Sequence, residues 1–190
     1  MNMVYPMQPT LWRTCRALAN RRRLEMLRLL MRYPGLTVSA VSRRLHLSLP
    51  VTSSYLRALE ARGLLTVQRN GRWVKYSPGS TVTSSLTAGL IAAIQATFEG
   101  DPHALPHVFK LATAFTHPTR ILIIQILRTQ PHSLAQLQAR THLSRWALLR
   151  HVRKLEARGF IKTMDDFLIL AKPSDQLGQA LLCLAASKSA

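Results

Sequence analysis

Ser48–Leu65 reads SLPVTSSYLRALEARGLL, and Ser144–Ile161 reads SRWALLRHVRKLEARGFI. The pentapeptide LEARG stands at Leu59–Gly63 and again at Leu155–Gly159, 96 positions on. A fixed period of this kind sets the architecture before any single element does. Each copy opens on a serine suited to cap a helix. Thr52, Leu56 and Leu59 follow at helical spacing, as do Leu148, Val152 and Leu155 in the second copy. Gly63 and Gly159 stand where a helix C-terminus needs a residue tolerant of positive φ. The stripe so defined faces inward. It leaves Pro50, Ser53, Ser54 and Arg57 outward in the first copy, and Arg145, Trp146, Arg150 and Arg153 in the second. A basic, short helix followed by a hairpin is the pattern of a recognition helix and its wing.

Working outward on the N-terminal side, residues 1–9 read as a loose lead-in. Thr10 starts a helix through Ala19, and Arg21–Met31 forms a second with Leu24, Leu27 and Met31 on one face. Tyr33-Pro34-Gly35 stops it. Thr37–Leu45 is a short helix with Val38, Val41 and Leu45 inward and Arg43 and Arg44 outside. On the other side, Leu64–Gln68 and Trp73–Tyr76 flank Arg69-Asn70-Gly71-Arg72, and Asn-Gly between apolar runs predicts a type I′ hairpin. Its tip carries Arg69 and Arg72, with Lys75 behind. Thr83–Phe98 holds no basic residue and presents Leu86, Leu90, Ile94 and Phe98, which predicts an interface helix. Gly100-Asp101-Pro102-His103 is the joint.

The second half repeats the plan with helices at Pro106–Phe115, Pro118–Thr129, Ser133–Thr141 and Ser144–Arg158. A wing at Phe160–Met164 and Phe167–Leu170 follows, then a helix at Ser174–Ala186. Here Met164-Asp165-Asp166 replaces the basic tip, and two carboxylates beside phosphates would be repulsive. The expected fold is therefore mainly α with small β-hairpin wings. It consists of two winged helix-turn-helix units in tandem, 10–100 and 104–190, each ending in an interface helix and related by a pseudo-two-fold axis.

Charge supplies the partner. Across 190 residues, 26 Lys and Arg face 8 Asp and Glu, for a net charge of +18. Residues 1–80 carry +12, residues 81–105 carry −2 and residues 106–190 carry +8. So basic a chain implies a polyanion, and double-stranded DNA suits the helices just described. Cys15 and Cys183 lie far apart, which is no disulfide framework and suits a reduced, cytoplasmic, nucleoid-associated setting. The opening MNMVYPMQPT lacks a signal peptide's basic start, and Ile121–Leu127 is too short to span a bilayer, so no membrane partner is expected.

At this point both halves resemble the ArsR family of winged helix-turn-helix repressors. The residues that carry the likeness are Ala17-Leu18-Ala19-Asn20-Arg21-Arg22-Arg23, Leu47-Ser48-Leu49-Pro50-Val51-Thr52-Ser53-Ser54-Tyr55-Leu56 and Gly71-Arg72-Trp73-Val74-Lys75-Tyr76. The second copy keeps Phe115-Thr116-His117-Pro118-Thr119-Arg120, Leu143-Ser144 and Arg150-His151. The resemblance implies a transcriptional regulator that pairs two such units through their first and last helices. Here both units sit in one chain, so an intrachain pseudo-dimer is expected, with a homodimer as the rival. The resemblance also implies DNA-contacting positions. They are Arg43, Arg44, Ser48, Pro50, Ser53, Ser54, Arg57, Arg69, Arg72 and Lys75 in the first unit, and Ser144, Arg145, Trp146, Arg150 and Arg153 in the second.

Metal sensing is the activity for which the resembling family is best known. The thiolate pair that its sensors place at the start of the third helix falls here on Thr37 and Ser39, and on Ser133 and Ala135. Hydroxyls are poor ligands for soft metals, so no metal or other cofactor is expected. Asp101, His103 and His107 are ligand types, but Pro102 and Pro106 disfavour a regular display. No serine or cysteine is paired with a histidine by any catalytic motif, so the chain is not read as an enzyme. Cys183, among Leu181, Leu182 and Leu184, is expected to be buried. An architectural DNA binder or a protein-interaction module is the alternative to a sequence-specific regulator, and the effector is not legible.

Overall fold

The computed structural model describes residues 10–71, 73–79 and 86–187. The first half runs α1 (Leu11–Leu18), α2 (Arg21–Arg32), β1 (Leu36–Thr37), α3 (Val38–Leu45), α4 (Leu49–Glu60), β2 (Leu65–Asn70), β3 (Trp73–Pro78) and α5 (Leu86–Gly100). The second runs α6 (Leu105–Ala112), a 3-10 turn (Thr113–Phe115), α7 (Pro118–Leu127), β4 (His132–Ser133), α8 (Leu134–Thr141), α9 (Arg145–Glu156), β5 (Ile161–Met164), β6 (Phe167–Leu170) and α10 (Gln176–Ala186). The order is the same in both halves. The fold is mainly α, with two small antiparallel sheets, β1-β3-β2 and β4-β6-β5.

The repeated LEARG now has a physical meaning. Gly63 and Gly159 take φ of 68° and 77°, and the next residue's N–H reaches back to the first Leu of the motif. Leu64 N donates to Leu59 O at 3.1 Å, and Phe160 N to Leu155 O at 3.1 Å. These bonds satisfy carbonyls that a helix end would otherwise leave open, and they turn the chain straight into the wing. Caps at the other ends obey the same logic. Asn20 accepts from Arg23 N, Thr37 from Ala40 N and Asp175 from Gly178 N, while Ser133 and Gln136 form a capping box.

Several expectations need correction. The first wing's two-residue turn is not Asn70-Gly71. Asn70 pairs with Trp73, so the strand runs through Asn70 and the turn begins one residue later, at Gly71. In the other wing Asp165 (48°) and Asp166 (64°) both take positive φ, as a type I′ turn requires. Cys183 is exposed, because Leu177, Leu181 and Ala185 set the buried face of α10. The start of the helix expected from Thr83 falls outside the described residues.

The halves share a seam. α5 packs on α10, α1 packs on α6 and on the 3-10 turn, and α2 packs on α6. Leu90, Ile91 and Ile94 of α5 and Leu177 and Leu181 of α10 are all 1% exposed or less. Polar links cross as well. Arg28 Nη1 donates to Pro102 O at 2.8 Å, and the Arg21 guanidinium sits 5.6 Å from the Phe109 ring centre. Beneath the second wing, fully buried Phe115 and Phe160 meet edge to face at 4.6 Å. Such a pair adds about 0.5–1.5 kcal/mol beyond burial, which ties the 3-10 turn to the start of β5.

Candidate nucleic-acid interface

Each helix-turn-helix is closed by a histidine in the left-handed region, His46 (φ 52°) after α3 and His142 (φ 54°) after α8. In the first unit Leu47 N donates to Ser42 O and Ser42 Oγ to Leu47 O, which fixes the turn. Ser48 then caps α4 by backbone conformation alone, with Pro50 in the first turn, whereas Ser144 Oγ accepts from Ala147 N at 3.3 Å. Thr52 is fully buried and its hydroxyl bonds Ser48 O, so the first turn of α4 is anchored from beneath.

Most of the expected contact residues lie exposed. Arg43, Arg44, Ser48, Pro50, Ser54, Arg57, Arg69 and Lys75 do so in the first unit, and Ser144, Arg145, Trp146, Arg150 and Arg153 in the second. Ser53 is half-buried and its carbonyl is engaged by Arg57 Nε at 3.4 Å, so the α4 face is narrower than the spacing suggests. Arg72 lies outside the described residues. In the wing, Gln68 opposes Lys75 and Arg69 opposes Val74, so Arg69 and Lys75 project from opposite faces of the ribbon. Leu49 and Val51 add apolar surface at the start of α4, 55% and 39% exposed. On α9, Trp146 is 80% exposed and lies with Leu149 beside Arg150, Arg153 and Lys154. The second tip presents Asp165 and Asp166 to solvent.

A supporting arginine behind each recognition helix escaped the sequence reading. Arg23 donates from Nε to Ala17 O at 2.6 Å and from Nη2 to Arg16 O at 2.9 Å, and it lies 5.7 Å from the Tyr55 ring centre. Arg120 does the same from α7. Its guanidinium bonds Ala114 O, Thr116 Oγ1 and Thr113 O, and it lies 3.5 Å from His151 Nδ1. Tyr55 and His151 are thus counterparts, one on each recognition helix. The signal was present in the sequence as an arginine at the same place in both copies.

His151 is buried, and its ring centre lies 4.7 Å from that of His117. Burial first, then His117, Arg120 and Arg150, push its pKa down to about 4. His117 is shifted down too, by burial and then by Arg120, Arg150 and Arg16. Both rings are neutral at pH 7, as fits His117 Nδ1 accepting from Thr119 N. An unfolded histidine binds a proton near pH 6.5, so the unfolded chain gains protons that the folded chain refuses. The stabilisation is therefore complete above about pH 6.5 and is lost as pH falls toward 4. At ~1.4 kcal/mol per unit the His151 share is on the order of a few kcal/mol. Melting temperature measured from pH 7 to pH 4.5 should fall, and less so in His151→Tyr, which imports the first unit's residue. Equal falls in the two proteins would refute this assignment.

The ligand types around the joint do not converge. Asp101 Oδ1 accepts from His103 N at 2.7 Å, and His107 Nε2 lies 3.3 Å from Asp175 Oδ1. Among the described residues no group of three or more such side chains comes together, and no helix is long and apolar enough to cross a membrane.

Comparison with known proteins agrees with this geometry. Residues 20–66 match a family model described as winged helix-turn-helix DNA-binding, and residues 117–163 match that of the bacterial regulatory proteins of the arsR family. No curated protein matches the chain. Among solved structures, reduced HlyU from Vibrio cholerae N16961 is 30% identical, over 45% of this chain and 82% of that one, with a TM-score of 0.38. Both family matches span the helix-turn-helix and run to the first strand of the wing, at positions that the repeat relates to each other. The chain is a DNA-binding transcriptional regulator made of two winged helix-turn-helix domains in tandem, and it belongs through its second domain to the arsR family of bacterial regulatory proteins.

Proposed function

We propose that one chain does the work of a two-chain dimer: units 10–100 and 104–190 form a pseudo-dimer that reads a non-palindromic operator. The observation that carries this reading is the packing of α5 on α10 within a single chain. Each of those helices follows a wing and would otherwise expose an apolar face. An isologous-like contact of this kind suits recognition helices on one side, addressing successive major grooves about 34 Å apart. Ser54 and Arg57, with Ser53 at the edge, would read base edges from α4, and Arg145, Arg150 and Arg153 from α9. Arg43, Arg44, Arg69, Arg72 and Lys75 would hold phosphate or the minor groove. Ser48 and Ser144 would set the approach of each helix N-terminus, with Pro50 and Trp146 beside them. The Asp165-Asp166 tip repels phosphate, so the stronger half-site lies under the first unit. On this reading the protein is a regulator without catalytic function. It acts in the cytoplasm on the nucleoid.

Light scattering at micromolar concentration should give a mass near the 21.4 kDa of one chain. Twice that mass would replace the pseudo-dimer by a homodimer with four winged units. Sequences selected from a random DNA pool should be asymmetric; a palindromic consensus would count against the diverged halves. Arg69→Ala and Lys75→Ala should each weaken all sequences alike and flatten the plot of log affinity against log salt by about one unit. An unchanged slope would remove the first wing from the interface.

A further inference from the structure

A basic groove lies apart from the contact residues above, between α1 and the C-terminal end of α4. Its volume is about 350 Å³, and it is walled by Trp12, Arg13, Arg16 and Arg62 over the small residues Ala58 and Ala61. Arg23 closes one side, with its guanidinium spent on the Ala17 and Arg16 carbonyls. Among the described residues no carboxylate lines the groove. The Arg13 and Arg16 guanidiniums lie 5.1 and 5.7 Å from the Trp12 ring centre, which holds two cations at one rim. The second half shows what this corner looks like when it is satisfied internally. Arg158, the counterpart of Arg62, donates from Nε to Thr113 Oγ1 at 3.2 Å. Thr113 is in turn the counterpart of Arg16, since Ala17 O and Ala114 O receive the equivalent arginines. The first unit has therefore exchanged a hydroxyl acceptor for a third-party cation, and its Arg62 faces like charge.

We propose that this groove is a phosphate-binding site. Guanidiniums present planar forks of donors that match phosphate oxygens, and Arg16 and Arg62 lining one groove with no acid among the described residues favour a dianion over any neutral ligand. The site would matter for regulation because of what it joins. α1 is part of the seam between the units, α4 is the first recognition helix, and an anion held by Arg16 and Arg62 ties the two together. The phosphate has two possible sources, a small phosphorylated solute and the DNA backbone.

The test separates these sources. Trp73→Phe with Trp146→Phe leaves Trp12 as the single tryptophan of the three. Its emission is titrated with inorganic phosphate, without DNA and at constant ionic strength against chloride. A saturable change, weakened at least tenfold by Arg16→Gln or Arg62→Gln, is expected, together with a higher melting temperature in phosphate than in chloride. In the otherwise native chain, the same two substitutions are then placed in a salt titration of DNA binding. An unchanged slope beside a phosphate response assigns the site to a small solute. A slope flattened by about one unit for each substitution assigns it to the DNA backbone. Absence of the phosphate response, of the thermal difference and of any change in slope overturns the proposal. The phosphate arm contains no DNA, so its failure is distinct from failure of the pseudo-dimer reading. Circular dichroism of each variant excludes simple unfolding.

Discussion

Replacing Arg120 with Met is expected to lower the melting temperature by roughly 4–16 °C, and the same change at Arg23 by clearly less. Arg120 is 8% exposed and donates to the Ala114 and Thr113 carbonyls and the Thr116 hydroxyl, beside His151. Methionine fills much of the volume but gives nothing to these acceptors, which sit behind α9 where water enters poorly. Exchanging a buried charge for an apolar chain can be neutral when the charge had a charged partner to lose with it. Arg120 serves neutral oxygens, so the unsatisfied acceptors decide the sign. A cost of about 2–4 kcal/mol follows, at some 2–4 °C per kcal/mol for a chain of this size. Arg23 is only half-buried, and water can replace it at the Arg16 and Ala17 carbonyls. Differential scanning calorimetry of both variants gives the comparison. A cost at Arg120 no larger than at Arg23 would contradict the role assigned to it.

Leu181→Asp is expected to reduce operator affinity by about a hundredfold or more. Leu181 is 1% exposed on α10, the helix that packs on α5, α6 and α7. A carboxylate there either takes a proton or is driven into water, at a cost of roughly 4 kcal/mol or more. Undocking α10 from α5 would leave the two recognition helices without a fixed spacing. A second binding event that was intramolecular then loses an effective-concentration advantage on the order of 10²–10⁴. Fluorescence anisotropy on the selected operator, with limited proteolysis around residues 101–104, reads both effects. Cys183→Asp, exposed on the same helix, should change either reading little. Native-like affinity in Leu181→Asp would show that the seam does not set the reading geometry.

The elements legible in the sequence were those whose signals are local. Ser48 and Ser144, the stripes beneath α4 and α9, and Gly63 and Gly159 sit within one or two helical turns of what they determine. Elements fixed by distant partners were not legible. β1 and β4 are two residues each and exist only because β3 and β6 pair with them. The first wing's turn moved by one residue because strand pairing continued to Asn70, overriding the local preference of Asn-Gly. Cys183 was misjudged since α10 is apolar almost all round, and its four leucines give no unique inward face. Of the residues expected to contact DNA, the exposure of those on α4 and α9 was readable from helix periodicity, Ser53 excepted. The way Arg23 and Arg120 brace those helices depended on carbonyls from α1 and the 3-10 turn, which no spacing rule places nearby.

The α5–α10 seam lies inside one polypeptide, and this changes how the protein behaves when it is scarce. A regulator assembled from separate subunits dissociates as its copy number falls, because the stability of its interface carries a concentration term. An interface closed within the chain carries none. On the pseudo-dimer reading, each molecule would arrive from the ribosome with both reading heads already joined, so operator occupancy would follow the number of chains in direct proportion instead of its square. A few copies per cell would then suffice for a graded response, and mixed assemblies with related regulators would not form through that surface.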